Sequence, residues 1–133
     1  MKGLVDTVNQ DTERVFMVGV QLKADNAWCV EESMDELSEL VTTAGAIVVG
    51  RGSQRLDKFN AATFIGPGKA KEFSVECKES NVDTVVFDEE LNPAQGRNLE
   101  KIFECKILDR TALILDIFSQ RAQTREGKLQ VEL

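Results

Sequence analysis

The turn Gly66-Pro67-Gly68-Lys69 is the first place in this sequence where chemistry could occur. It lies between a predicted strand and a predicted helix, and the free amides at a helix N-terminus can bind phosphate, with a lysine ammonium assisting. A P-loop needs four residues between its first Gly and the Gly-Lys pair, followed by Ser or Thr. Here one residue intervenes and Ala70 follows the lysine, so this is not a P-loop. A phosphate site at Gly66, Gly68 and Lys69 and an ordinary tight turn both remain open.

Three consecutive acids, Asp88, Glu89 and Glu90, follow another predicted strand. Carboxylates at the carboxyl edge of a parallel sheet can hold magnesium. Acids are also favoured near a helix start by the helix dipole alone. Because magnesium needs several converging oxygens and nothing nearby supplies the rest, we expect no metal site here.

Residues suited to catalysis or to transition-metal binding are scarce. The sequence has no histidine, which removes the usual general base and the commonest metal ligand. Its three cysteines are widely spaced and form no C-x-x-C motif, so they indicate reduced thiols rather than a disulfide framework or a zinc site: Cys29, Cys77 and Cys105. We therefore predict no catalytic residue and no cofactor in this chain.

Basic residues concentrate in one stretch of an acidic chain. The net charge is −7, yet residues 51–71 hold five basic side chains against one acid, Asp57, a local charge of +4. Clustered cations bind the phosphates of nucleic acids, and residues 50–62 lack a clear period, which predicts a loop. A solvated loop is the alternative interpretation. The candidate RNA-binding residues are Arg51, Arg55, Lys58, Lys69 and Lys71.

Strand and helix signals alternate along the chain. Strands are predicted at residues 14–22, 46–49, 63–65, 82–87 and 106–108. One helix is predicted to start at a capping box of Ser33 and Glu36 and to end at Gly45, and a second to cover Lys69 to Ser80. A third starts at Asn92 with Gln95 reaching back, and a last one follows Asp109. This order predicts an α/β fold with a mainly parallel sheet of four or five strands, helices on both faces, and the start of a further helical segment.

The chain length of 133 residues suits one domain. We expect residues 1–12 to be a flexible tail, residues 13–109 to form the α/β domain, and residues 110–133 to begin a truncated helical subdomain. No apolar run approaches the ~20 residues of a membrane span, and the first residues lack the apolar stretch of a signal peptide. A cytoplasmic location is therefore expected.

The segment from Asp109 to Leu133 closely resembles the N-terminal domain of HflX-type GTPases, and Thr63 to Lys69 and Phe87 to Gln95 support that resemblance. The resemblance implies a parallel-sheet subdomain, then a long helical hairpin, then a separate GTP-hydrolysing domain. GTP and magnesium would belong to that domain, which is absent from this chain. Family members bind the large (50S) ribosomal subunit, contact its rRNA and are implicated in dissociating stalled ribosomes. The connection from Leu56 to Ala62 lacks the prolines expected in the family.

Three functional hypotheses follow. In the first, the chain is a non-catalytic ribosome-binding regulatory domain that uses the five basic residues. In the second, it binds ATP, with phosphate at the Gly66–Lys69 turn and magnesium at Asp88 and Glu89; the resemblance implies an ATP-binding capacity outside the GTPase domain. In the third, a face formed by Leu113, Ile117 and Phe118 packs on the missing GTPase domain or hairpin. That face predicts self-association if it is left uncovered.

Overall fold

A computed structural model describes residues 12–23 and 27–117, the side chains of residues 27–29 excepted. The predictions for the tail before residue 12, for the thiol of Cys29 and for residues 118–133, including Phe118, lie outside the described residues. Four strands alternate with three helices: β1 (Arg14–Leu22), α1 (Ala27–Thr43), β2 (Ile47–Leu56), α2 (Pro67–Glu79), β3 (Thr84–Phe87), α3 (Pro93–Phe103) and β4 (Lys106–Asp109). Residues 110–117 are helical.

The four strands form one parallel sheet in the order β2-β1-β3-β4. The chain therefore steps from β1 outward to β2 and crosses back to β3, which places the topological switch point between β1 and β3. Ligands of open α/β sheets bind outside the carboxyl ends of strands at such a point. The predicted α/β class with a parallel sheet is confirmed.

Both faces of the sheet are covered. Alternate residues of β1 point to opposite sides, so Phe16 and Val18 pack in one cluster with Phe73 of α2 and Leu99 of α3. Val15 and Met17 pack in the other with residues of α1 and of the last helix, which are Met34, Leu37, Val41, Leu113 and Ile117. No helix within the described ranges has the length and apolarity to cross a membrane.

The burial of the last helix, residues 110–117, contradicts one prediction. Leu113 and Ile117 are buried against the sheet of their own domain, at 4% and 7% exposure, and are not a face awaiting another domain. Leu115, in the same helix, is the large apolar side chain that is exposed there, at 63%. Within the described residues, the face predicted to drive self-association is covered.

Local signals located several helix ends correctly. Gly45 ends α1 in a left-handed conformation, with φ of 91°. Asn92 and Gln95 form the predicted capping box: the Asn92 side chain accepts from the Gln95 amide at 2.8 Å, and the Gln95 side chain accepts from the Asn92 amide at 3.0 Å. Asp109 caps the last helix by accepting from the Ala112 amide at 2.8 Å.

The predicted capping box of Ser33 and Glu36 is wrong. α1 begins six residues earlier, at Ala27, and Ser33 lies inside it. The stripe that packs on the sheet already includes Val30, one turn before Met34, so burial extends the helix through the Ser.

Two further predictions around β2 are also wrong. Residues 50–62 are not all loop, because β2 continues to Leu56 and pairs with β1 along its length. Gly50 and Gly52 interrupt its apolar pattern, because side chains are absent there and aromatic rings fill the space. Thr63–Ile65 is not a strand: it lies in a turn, where Phe64 makes only an isolated bridge to Asn60.

Candidate nucleic-acid interface

The five basic candidates lie along and around β2, which is an edge strand of the sheet. Arg51 and Arg55 are four residues apart on β2, an even spacing, and therefore project from the same face. Arg51 contacts α1 on that face. Its Nη1 lies 3.1 Å from Asp35 Oδ1, and its Nη2 lies 3.4 Å from Glu31 Oε2. Two carboxylates therefore offset the charge of Arg51, whereas Arg55 makes no ion pair within the described residues.

Lys69 and Lys71 lie on α2, which packs against the opposite face of the sheet. The Lys69 ammonium lies 5.4 Å from the centre of the Phe73 ring and 3.9 Å from Glu72 Oε2, so its charge is partly engaged. Lys71 is exposed and has no carboxylate partner among the described residues. α2 packs closely on β2. A Cβ atom at Gly52 would lie only 2.5 Å from the Phe73 ring, so the space above Gly52 is already occupied by that ring.

Lys58 lies in the connection between β2 and α2 and is exposed. Its neighbour Asp57 pairs with Lys23 at 3.3 Å. Arg51 and Arg55 thus lie on one face of the sheet and Lys69 and Lys71 on the helix that covers the other, so the five cations do not form one flat patch. Three of them, Arg55, Lys58 and Lys71, lack an ion-pair partner in the described part of the chain.

The connection itself is held in a fixed shape by Asn60. The Asn60 side-chain oxygen accepts from the amides of Ala62 and Thr63, at 2.9 and 3.0 Å, and from the Thr63 hydroxyl at 3.1 Å. Two side chains of α3 then hold the loop from outside. Gln95 Nε2 donates to the Asn60 carbonyl at 2.8 Å, and Asn98 Nδ2 donates to the Ala62 carbonyl at 2.9 Å. Sequence reasoning missed these residues, although Asn followed by small residues and Thr is a known turn signal.

The predicted phosphate turn begins α2, with Pro67 in its first turn. The Gly66 amide donates to Gln54 Oε1 at 2.8 Å, so it does not offer a hydrogen bond to a ligand. Gly68 has open space on its outer side. The turn therefore retains the Gly68 and Lys69 amides as the donors a phosphate could use.

Asp88 occupies the carboxyl edge of the sheet, directly after β3. Its carboxylate accepts from Ser33 Oγ at 2.6 Å and from Arg110 Nη2 and Nε at 2.6 and 3.1 Å. Both carboxylate oxygens are thus engaged by α1 and by the last helix, on the face opposite α2. This arrangement disfavours the hypothesis that Asp88 shares a magnesium ion with a phosphate at the Gly66 turn. No group of three or more Cys, Asp or Glu side chains is placed to hold a metal ion in the described ranges.

The two described cysteines, Cys77 in α2 and Cys105 directly before β4, are free thiols. Burial, with smaller contributions from the neighbouring Cys105 and Glu76, raises the pKa of Cys77 from its ordinary value of 9.0 to about 12. Burial and the adjacent Asp83 and Glu104 also raise the pKa of Cys105. Both side chains are therefore neutral thiols near neutral pH, consistent with packing rather than with nucleophilic chemistry.

A family model described as "GTP-binding GTPase N-terminal" matches residues 31–119, most of the described fold. The chain belongs to this family. Two curated relatives agree with the assignment. The GTPase HflX of Flavobacterium psychrophilum is 45% identical over 128 residues, which cover 96% of this chain and 30% of that protein. The GTPase HflX of Escherichia coli K12 is 49% identical over 104 residues, which cover 77% of this chain and 24% of that protein. The predicted resemblance to HflX N-terminal domains is confirmed.

Solved structures of the family's fold extend the comparison. A structure of SsGBP in complex with GDP aligns with a TM-score of 0.63 at 22% identity, covering 90% of this chain and 33% of that one. A GTP-binding protein from the archaeon Sulfolobus solfataricus, also in complex with GDP, aligns with a TM-score of 0.59 at 20% identity, covering 80% of this chain and 30% of that one. These likenesses show the same fold. The chain spans about a third of the length of these proteins, or less.

Proposed function

We propose that this chain is the ribosome-binding regulatory part of an HflX-type GTPase, acting in the cytoplasm on the rRNA of the large (50S) subunit. In the parent protein, GTP and magnesium would bind to a separate domain, and this part would contribute to dissociating stalled ribosomes without catalysing a reaction itself. The observation that carries the proposal is that three cations of β2, the connection after it and α2 have no carboxylate partner among the described residues: Arg55, Lys58 and Lys71.

The physical basis of binding is electrostatic. Each cation that neutralises an RNA phosphate releases counterions, which makes affinity depend steeply on salt. Phosphate contacts of this kind orient a protein without reading sequence. Because the chain as a whole carries a charge of −7, the remaining surface repels nucleic acid and limits binding at other sites. We expect Arg51 and Lys69 to contribute less than the other three candidates, because carboxylates already engage them.

Co-sedimentation with purified large subunits tests this proposal. The variant Arg55→Gln/Lys58→Gln/Lys71→Gln should bind at least about ten-fold more weakly at low salt than the unmodified chain. The matched control is Lys101→Gln/Lys106→Gln, which removes exposed charges from α3 and from β4, the strand at the opposite edge of the sheet from β2. Its binding should change much less. Equal losses in both variants, or no binding of the unmodified chain, would contradict the proposal.

The alternative of ATP binding is not favoured by the geometry, since the Gly66 amide and the Asp88 carboxylate both have partners within the protein. Calorimetry with ATP and magnesium separates the two proposals. The ribosome-binding proposal needs no ATP site at the Gly66–Lys69 turn, so we expect no heat of ATP binding that the Lys69→Ala substitution abolishes. A heat that Lys69→Ala abolishes would support the nucleotide site instead.

A further inference from the structure

Phe59 presents an aromatic ring at the surface, in the connection that follows β2. Its exposed fraction is 36%, whereas the three aromatic rings beneath it are buried. Its ring stacks on Phe64, with 4.6 Å between the ring centroids and an angle of 20° between the planes. Stacking covers one face of the Phe59 ring, and the rest of the side chain is partly exposed to solvent.

Phe59 is the outer member of a row of four aromatic rings that contact one another, and the other three rings are buried. Phe64 meets Phe87 edge to face at 5.7 Å, and Phe87 meets Phe103 edge to face at 6.2 Å. These three inner rings are at most 1% exposed. Because close-packed cores hold side chains in fixed rotamers, the outer ring rests on a rigid base and has little freedom to turn inward.

The backbone under the ring is held in an uncommon conformation. Phe64 has a φ of 65°, in the left-handed region that bulky residues rarely adopt. Two backbone hydrogen bonds with Asn60, both at 2.9 Å, maintain it, together with the bonds that Asn60 and Gln95 make across the loop. Strain of this kind persists only where surrounding contacts enforce it, and it concentrates at functional positions.

The surroundings of the ring indicate what it could bind. An open groove of about 400 Å³ runs beside it and is lined by Phe59, Phe64, Glu90, Leu91, Asn92 and Gln95. Glu90 would repel a phosphate placed in the groove, whereas Lys58, the residue directly before Phe59, is an exposed cation that does not line the groove. A flat, uncharged group in the groove with an anionic group beside it matches this distribution. An unpaired nucleotide has both parts, since its base is planar and neutral and its phosphate is negative.

We propose that Phe59 is a stacking platform for an unpaired nucleobase of RNA, with Lys58 contacting a phosphate of the same strand. This inference rests on the proposed function, because it specifies how the same region contacts rRNA. Aromatic stacking tolerates any base, so the platform would read single-stranded structure and not sequence.

Binding of a fluorescent single-stranded adenine oligoribonucleotide tests the inference. Phe59→Leu keeps an apolar side chain but removes the aromatic face, and should weaken binding about ten-fold. The dependence on salt should stay unchanged, because no charge is lost. Phe59→Trp retains an aromatic face and should bind about as tightly as the unmodified chain. Val75→Ala, which alters an exposed apolar residue on α2, is the matched control and should have no effect.

The outcomes separate this inference from the proposed function. If the unmodified chain binds large subunits and the oligonucleotide, and Phe59→Leu binds both equally well, the stacking platform is wrong and ribosome binding stands. If Phe59→Leu loses affinity for subunits but not for the oligonucleotide, the ring contacts a ribosomal protein, which also overturns the inference. If the unmodified chain binds neither, both proposals fail.

Discussion

Arg110 and Asp88 form the most buried ion pair among the described residues. Arg110 Nη2 lies 2.6 Å from Asp88 Oδ1, and the Asp88 side chain is only 7% exposed. The same guanidinium donates to the Ser33 carbonyl at 2.8 Å. These contacts join three elements, since Asp88 follows β3, Ser33 lies in α1 and Arg110 begins the last helix. The pair therefore fixes the direction in which the chain leaves the sheet.

Removing Arg110 should destabilise the fold more than removing a surface cation. Arg110→Ala leaves the Asp88 carboxylate nearly buried with only Ser33 to satisfy it, and we expect the free energy of unfolding to fall by about 2–4 kcal/mol. The control is Lys78→Ala, which breaks an exposed pair with Glu104 at 2.9 Å and should change stability much less. Urea unfolding measures both. Similar losses in the two variants would show that the Asp88–Arg110 pair has no special role.

Two glycines should respond oppositely to the same substitution. Gly52→Ala would place a Cβ 2.5 Å from the buried Phe73 ring, so the ring must shift within a packed core, and we expect a loss of about 1–3 kcal/mol. Gly68→Ala adds a methyl group in open space in the first turn of α2 and should leave stability unchanged or slightly raised. Thermal unfolding distinguishes them. A Gly52→Ala protein as stable as Gly68→Ala would contradict the close packing of α2 on β2.

The Asn60 turn should depend on an acceptor oxygen and not on the amide group. Asn60→Ala removes the acceptor shared by two backbone amides and the Thr63 hydroxyl, and should lower the free energy of unfolding by about 1–2 kcal/mol. Asn60→Asp keeps an oxygen in that position and should retain most of the stability. Chemical denaturation of both variants provides the measurement. An Asp variant as unstable as the Ala variant would mean that the turn is held by something else.

The Cys77 thiol should make stability fall at alkaline pH. Its folded pKa is about 12 and its ordinary value is 9.0, so above pH 9 the unfolded chain releases a proton that the folded chain retains. The corresponding stability is present below pH 9 and is lost progressively towards pH 12, at up to about 1.4 kcal/mol per pH unit. Cys77→Ala removes this contribution. The unmodified chain should therefore lose stability more steeply than Cys77→Ala between pH 9 and 10.5, and parallel slopes would refute the assignment.

Local chemistry accounts for what sequence reasoning could predict. The apolar run of β1, the glycine after α1, the Asn92–Gln95 box and the Asp109 cap each depend on residues within a few positions of one another. Such signals do not require knowledge of the rest of the fold. Their success, together with the strand–helix alternation, is why the sheet class followed from the sequence.

The features that sequence reasoning missed depend on contacts between distant segments. β2 continues to Leu56 because β1 pairs with it and because rings from β1 and α2 occupy the space above its glycines. Ser33 lies within α1 and donates to an acid 55 residues away. The charge on Arg51 is offset by acids 16 and 20 residues before it, which one-dimensional charge counting assigned to the rest of the chain.

The slope of large-subunit affinity against salt concentration is the most direct test of the central claim. On a plot of log affinity against log salt, the unmodified chain should show a steep negative slope. Arg55→Gln/Lys58→Gln/Lys71→Gln should flatten it by about 0.7–0.9 for each of these cations that contacts a phosphate. Lys101→Gln/Lys106→Gln should leave the slope unaltered. A slope near zero for the unmodified chain, or equal slopes for the unmodified chain and the triple variant, would contradict an rRNA interface at the β2 edge.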